Sequence, residues 1–462
     1  MLEQLSSINW RDLSHAYGSA EDVPQLLRDL ASPDEQICGR ARGTLYTNIY
    51  HQGTVYQASS YAVPFLLELL REETVPEREE LLVLLAHLAQ GNTYHRQHWH
   101  FYTEERKQDP TIHKELEEGI FWVEKTYEAV SAGLPLYFSL LEDPNPKLRL
   151  AALRLLGSLF REAPQIVSLL VKRFDTEHDQ RVQASLLFSL GALLARREEA
   201  SPSAWQLLAK TLDEGQTDLV RLAAAMALAR TRRPEIPASA YEFLLDKIQY
   251  PDPLDDLYDE LPWAESRLVF DVIRHFYTLP SSFFPCLLPR LMQVLESLDQ
   301  REERGDLKLN GIIAGELADL LIALVFDANE GSPTKAWMRK DLTNLQEVLL
   351  FAILQSNVVW RWDVGKGYSM TSRPSGKNQY EILVEIMLYE LQKQGLPWTR
   401  QTLRTFLGGD PQDNDVVRIV SRQVNVWLTP PEQKKEVLAE LIALNPDCQL
   451  AVLKMLVGDY SS

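Results

Sequence analysis

A short pattern recurs along this 462-residue chain: a proline followed within a few residues by paired large apolar residues. The clearest copies are at Pro24 (DVPQLLRDL), Pro64 (AVPFLLELL), Pro135 (GLPLYFSLL) and Pro164 (EAPQIVSLL), with looser copies at Pro202, Pro237, Pro285 and Pro397. Proline is tolerated in the first turn of a helix, because the N–H that it lacks would have no intrahelical partner there. Each copy therefore predicts the start of a helix.

A turn rich in Asp and Pro follows several of these helices, and a second, longer apolar segment comes next. The turn Asp143-Pro144-Asn145-Pro146 leads into KLRLAALRLLGSLF, and similar segments begin at Arg181 and Leu219. They are apolar on almost every face, as expected for helices that neighbours cover on both flanks. The spacing of the prolines mostly lies near the ~34–47 residues of helix-pair repeats. The sequence predicts an all-α, right-handed α-solenoid of about eight to ten helix pairs, continuous over residues 1–462.

The second segments begin with a (Val/Leu)-Arg-x-x-Ala pattern. It is present as Leu148-Arg149-Leu150-Ala151-Ala152 and Val220-Arg221-Leu222-Ala223-Ala224, whereas Gln183 replaces the Arg after Val182. With the proline-led helix and the Asp-bearing turn, this pattern resembles the HEAT repeat. Residues 10–70 also resemble bacterial HEAT-repeat proteins of unassigned function. The resemblance implies an armadillo-type α-solenoid, and it implies that Asp143 with Arg149, and Asp213 with Arg221, tie turns to neighbouring repeats.

Residues 91–130 are the least repeat-like part of the first half, and we interpret them as an insertion. They contain the run GNTYHRQHWHFYTEERKQDP, followed by a helix predicted over residues 112–130. Three imidazoles within six positions could bind a metal, but no HExxH pattern or nearby cysteine supports that interpretation. Aromatic residues beside Arg are typical of protein interfaces. The remaining alternatives are a loop folded back onto the solenoid or a partner-contact loop, whose candidates are Tyr94, His95, His98, Trp99, His100 and Phe101.

Residues 300–462 are expected to form degenerate repeats that carry a basic, aromatic loop at 360–378. This loop is either a flexible hairpin loop or a second contact patch, whose candidates are Trp360, Arg361, Trp362, Lys366 and Tyr368. The glycine and the Ser or Thr that a phosphate-binding loop needs around Gly376-Lys377 are missing. An acidic cluster at 252–260 is interpreted as a solvated loop, with a basic partner as the alternative.

Charge and cysteine usage limit the function classes. The net charge of −18, from 47 Lys and Arg against 65 Asp and Glu, makes nucleic acid an unfavourable partner. Three widely spaced cysteines, with no apolar run of ~18 residues and no signal-like start, predict a reducing, cytoplasmic setting without a membrane span. No catalytic motif, metal set or cofactor motif is recognised.

The leading hypothesis is a non-catalytic scaffold or adaptor whose concave face binds a protein that is neutral or basic where it docks. An inhibitor or immunity partner of a basic toxin is one version, motivated by charge alone. The alternative is an enzyme or enzyme subunit, because HEAT-like proteins include bilin lyases and DNA glycosylases. A metal-dependent switch organised by the histidines is a third hypothesis.

Overall fold

The computed structural model describes residues 2–99, 102–196, 201–215, 217–231, 236–249, 254–277, 283–301, 307–326, 337, 339–356, 359, 390–391, 393–397 and 400–408. Helices account for most of these residues, and the strands among them form two short hairpins. The all-α prediction is thereby confirmed. Contacts divide the chain into two compact units: unit 1 is Met1–Thr231 with Glu260–Trp263, and unit 2 is Arg232–Asp259 with Ala264–Ser462. A continuous solenoid over 1–462 and its handedness stay predictions.

The described part of unit 1 contains five helix pairs and an insertion between the second and third pairs. Its helices are α1 (Val23–Asp29), α2 (Glu35–Ile49), α3 (Gln57–Arg71), α4 (Arg78–Gln90), α5 (Tyr94–His98), α6 (Glu104–Lys107), α7 (Pro110–Ser131), α8 (Leu134–Leu140), α9 (Pro146–Leu156), α10 (Ala163–Phe174), α11 (Gln180–Leu194), α12 (Pro202–Glu214) and α13 (Asp218–Arg230). The pairs are α1 with α2, α3 with α4, α8 with α9, α10 with α11, and α12 with α13. Helix α7 packs against α3 and α4.

The second helices form the core of unit 1. Helices α4, α9, α11 and α13 pack in sequence, and α11 and α13 are buried along almost their whole length. Their starts are fixed by side chains that accept hydrogen bonds from first-turn N–H groups, namely those of Asn145, Asp179 and Thr217. The apolar character of these segments on every face therefore has the predicted cause.

The marker prolines occupy the first turn of their helices at Pro24, Pro135, Pro164 and Pro202. Pro64 is an exception, because it lies inside α3. Ser59 fixes the earlier start of that helix: its hydroxyl accepts a hydrogen bond from the N–H of Tyr56 (2.8 Å) and donates one to the carbonyl of Ile49 (2.6 Å). The prediction of a helix start at Pro64 was wrong, because this capping residue lies upstream of the proline.

Two hairpins flank α1 and α2. Strand β1 (Ser14–His15) pairs with β2 (Gly18–Ser19), and β3 (Tyr50–His51) pairs with β4 (Thr54–Val55), both antiparallel. In the second hairpin Gln52 and Gly53 have φ values of 48° and 87°, as a two-residue hairpin turn requires. The N–H of Asn92 donates to the carbonyl of Gly53 (2.8 Å), and this bond joins the hairpin to the segment before α5.

Arginines near the starts of the second helices connect successive turns. The guanidinium of Arg149 donates to the carbonyl of Asp143 (2.9 Å), and its Nε lies 3.2 Å from the carboxylate of Glu177 in the next turn. The carboxylate of Asp143 lies 4.0 Å from Arg78 of the preceding pair. Arg221 donates to the carbonyl of Leu212 (2.9 Å). Arg149 and Asp143 therefore link successive turns, in agreement with the structural interpretation. The bond of Arg221 stays within the pair of α12 and α13, and a tie between Asp213 and Arg221 stays a prediction.

Unit 2 contains α14 (Ala238–Gln249), α15 (Leu254–Asp259), α16 (Leu268–Phe276), α17 (Phe284–Arg301), α18 (Leu307–Val325), α19 (Asn344–Gln355) and the helix Arg400–Gly408. The acidic cluster at 252–260, predicted as a solvated loop, lies partly in α15, and one of its carboxylates makes a hydrogen bond within the fold. Asp255 accepts a hydrogen bond from the N–H of Leu268 (3.2 Å) at the start of α16. Buried Asp271 accepts hydrogen bonds from the hydroxyls of Tyr258 (2.9 Å) and Ser266 (2.7 Å). The prediction of a loop was wrong for residues 254–259, which are helical, whereas the exposed side chains of Asp256, Asp259 and Glu260 agree with the predicted solvation.

Gly191 lies at a close approach of α11 and α13, where an added methyl group would be 2.6 Å from Ala227 Cα. We expect Gly191→Ala to lower the free energy of unfolding by about 1–3 kcal/mol, because the helices must separate. Gly39→Ala on α2 is the matched control, since nothing lies within 4 Å of its added methyl. It should be neutral or stabilising by up to ~1 kcal/mol, because Ala favours helix over Gly. Urea unfolding of both variants measures the difference, and equal effects would contradict the close packing.

Candidate interaction surface

Helix α5 is held between the second hairpin and α7. Its first turn is capped by Thr93, whose hydroxyl accepts a hydrogen bond from the N–H of Arg96 (3.1 Å). A methyl group on Gly119 of α7 would lie 3.0 Å from the Cβ of Thr93. A methyl group on Gly53 would lie 2.9 Å from the side-chain nitrogen of Gln97. The first helix of the insertion is therefore packed against the second hairpin and α7.

His95 holds α5 against α7 through its buried side chain. It is 9% exposed, and its Nε2 lies 2.9 Å from the carboxylate of Glu115 on α7. Because the carboxylate accepts the proton of Nε2, a neutral imidazole accepts at Nδ1 from the hydroxyl of Tyr102, also at 2.9 Å. The ring of Tyr102 in turn lies 4.3 Å from the guanidinium carbon of Arg106. His95 thus positions the neighbouring side chains.

The other described candidates of the insertion face outward to different degrees. Tyr94 is 51% exposed, and its ring centroid lies 4.2 Å from that of His98. Trp99 is half-buried, with its ring 6.1 Å from Tyr102 and 6.4 Å from His113. The candidates that lie outside the described residues are His100, Phe101, Trp360, Arg361, Trp362, Lys366 and Tyr368.

Three side chains that were not among the predicted candidates extend this surface. Tyr17, between β1 and β2, is 65% exposed, and its hydroxyl lies 3.3 Å from Nδ1 of His51. The hydroxyl of Tyr56 lies 2.6 Å from that of Thr54. Burial raises the pKa of Tyr56 above its ordinary value; the hydrogen bond with Thr54 opposes this, and the nearby phenols of Tyr17 and Tyr94 add to it. Because Gly53 of the second hairpin lies against Gln97 of α5, and His51 of that hairpin contacts Tyr17, the three phenols belong to one neighbourhood.

We call this neighbourhood the Tyr–His surface, consisting of Tyr17, His51, Tyr56, Tyr94 and His98. Both hairpin turns contain a histidine followed closely by glycine, in HAYG at 15–18 and HQG at 51–53. That recurrence is the sequence signal by which two of its elements could have been found. The pairing of these turns needs the fold, because they are 34 residues apart.

The first hairpin is fixed by a buried histidine. The N–H of Tyr17 donates to Nδ1 of His15 (3.0 Å), so the imidazole proton is on Nε2, which lies 3.0 Å from the carboxylate of Asp22. The other carboxylate oxygen of Asp22 accepts from the side-chain amide of Asn48 (2.8 Å). The exposed ring of Tyr17 therefore sits on an ordered backbone.

In the described part of the chain, no group of three or more His, Cys, Asp or Glu side chains is arranged to hold a metal ion. No helix there combines the length and hydropathy that a bilayer crossing requires.

The family-model comparison matches residues 134–229 to HEAT repeats. The match begins with α8 and ends one residue before the end of α13, so it spans three consecutive helix pairs of unit 1. The resemblance found in the sequence is confirmed for this segment. A search of curated proteins finds no match to the chain. HEAT repeats form helical scaffolds of the kind that mediates protein interactions.

His95→Ala should lower the free energy of unfolding by about 1–3 kcal/mol, because Tyr102 and Glu115 both lose a hydrogen-bond partner. Tyr94→Ala is the neighbouring control, and its half-exposed ring should cost less than ~0.5 kcal/mol. Urea unfolding followed by circular dichroism compares the two variants. Equal losses of unfolding free energy in the two variants would show that His95 does not stabilise the packing of the insertion.

Proposed function

We propose that this protein is a non-catalytic scaffold or adaptor that binds a partner protein. The observation that carries the proposal is the projection of exposed aromatic rings from segments outside the helix pairs. Tyr17 lies on the first hairpin and Tyr94 on the insertion, next to repeats whose stacking does not involve them. Large amphipathic rings of this kind are common anchors of protein interfaces.

Binding is proposed to use the concave face that second helices line in HEAT solenoids, extended at one edge by helix α5 of the insertion. His98 and Trp99 belong to this contact region, and His95 stabilises it through its buried hydrogen bonds. Trp99 is half-buried, which leaves part of its indole for a partner. The loop at 360–378 is proposed as a second contact on its sequence alone, through Trp360 and Trp362.

The partner is proposed to be neutral or basic where it docks. The whole chain carries a net charge of −18, and residues 1–106 contain 15 Asp and Glu against 8 Arg and no Lys. Potentials of opposite sign steer association and disfavour wrong partners. A basic toxin that this chain inhibits is one partner with that property. A cytoplasmic setting accords with the free, buried thiol of Cys38.

Trp99→Ala tests the proposal in a complex with a partner protein captured from the source cell and identified by mass spectrometry. Affinity should fall by about 1–3 kcal/mol, the range for an ordinary anchor residue, as measured by titration calorimetry. Phe121→Ala is the control: this ring is 50% exposed on α7, a helix that contributes none of the proposed contact residues. Its affinity should stay within a factor of about two.

Circular dichroism and unfolding separate binding from folding in the same variants. The proposal expects Trp99→Ala to keep its helical signal and most of its stability. A loss of about 3–5 kcal/mol in stability with unchanged affinity would make Trp99 a core residue and would contradict its role as an anchor.

A further inference from the structure

We infer that the Tyr–His surface binds Arg or Lys side chains of a partner segment on the rings of Tyr17 and Tyr94. This chemistry rests on the proposed protein-binding function and specifies the partner class at one surface. The two rings are the most exposed Tyr, Phe or Trp side chains among the described residues, at 65% and 51%.

Both rings are held in place before any partner arrives. Tyr17 is fixed at its backbone by His15 and at its hydroxyl by His51. Tyr94 is packed against His98, whose Nδ1 lies 2.8 Å from the carbonyl of Tyr94. Tyrosine offers a large contact area with few rotatable bonds, and prior fixation lowers the entropy lost on binding. The faces of these two rings are therefore suited to direct contact with a partner side chain.

Aromatic rings elsewhere in unit 1 already bind guanidinium groups. Arg106 lies 4.3 Å from the ring centre of Tyr102, Arg161 4.5 Å from that of Tyr127, and Arg154 4.6 Å from that of Trp263. In the described part of the chain, no Arg or Lys lies over the ring of Tyr17 or Tyr94. The negative faces of these two rings attract cations.

Each tyrosine is separated by one buried histidine from a half-exposed carboxylate, and a carboxylate favours a cation over an anion. On the Tyr17 side, the carboxylate of Asp22 contacts His15 and is 45% exposed. On the Tyr94 side, the carboxylate of Glu115 contacts His95 and is 53% exposed. Arg96 of α5 is the one cation on the element that carries Tyr94. Two half-exposed carboxylates, each one histidine away from an exposed tyrosine, are complementary to a segment with two or more basic residues.

Random peptides displayed on phage, selected on the purified full chain, test this chemistry without a known partner. Selected peptides should be enriched in Arg and Lys and depleted of Asp and Glu. A synthetic copy of a selected peptide should bind Tyr17→Leu/Tyr94→Leu at least about tenfold more weakly, because the apolar area stays but the ring faces are lost. Tyr17→Phe/Tyr94→Phe, which keeps the faces, should stay within about threefold.

Several results would overturn the inference. Enrichment of acidic peptides, equal binding by the Leu double variant, or failure to select any peptide would each do so. A captured partner protein that still requires Trp99 would then leave the scaffold function standing. Loss of that partner interaction as well would remove both. Circular dichroism of the double variants checks that folding is unchanged.

Discussion

The close packing of second helices on one another is the constraint on which the rest of unit 1 depends. Helices α9, α11 and α13 bury nearly all of their apolar side chains between neighbours, so none could exist alone at a surface. The contact is tight enough that Gly191 meets Ala227 directly. Because neighbouring pairs provide each helix with its core, the segments between pairs can carry side chains that stacking does not use. The Tyr–His surface is made of such segments.

Short polar connections fix those segments without adding a core of their own. His15 with Asp22, Asn92 with Gly53, and His95 with Tyr102 and Glu115 each join a connecting segment to a helix or hairpin. A buried histidine that donates at one nitrogen and accepts at the other orders two neighbours at once. The rings of Tyr17 and Tyr94, close to these histidines in sequence, remain exposed on an ordered backbone. Anchor residues at interfaces need this arrangement.

Local sequence rules predicted the helices well, because proline, caps and apolar periodicity act within a few residues. The helix predicted over 112–130 corresponds to α7, Pro110–Ser131, and the HEAT pattern is matched at 134–229. The hairpins were harder to predict, since Gln52 takes a left-handed conformation that favours Asn or Gly. The approach of Tyr17 to His51 joins turns 34 residues apart, and no pattern in one sequence encodes that distance. The insertion was inferred because residues 91–130 are the least repeat-like part of the first half and are rich in aromatic residues. The burial of His95 could be seen only in the folded structure.

A partner is expected to bind to connecting segments while the helix stack stays unchanged. Hydrogen–deuterium exchange of the chain, alone and with its captured partner, distinguishes these two parts of unit 1. With the partner bound, exchange should slow at residues 14–19, 50–56 and 94–99, while α11 and α13 are already protected and stay unaltered. Protection that appears only in other segments, or a changed exchange rate in α11 and α13 with none in the hairpins and α5, would contradict this expectation.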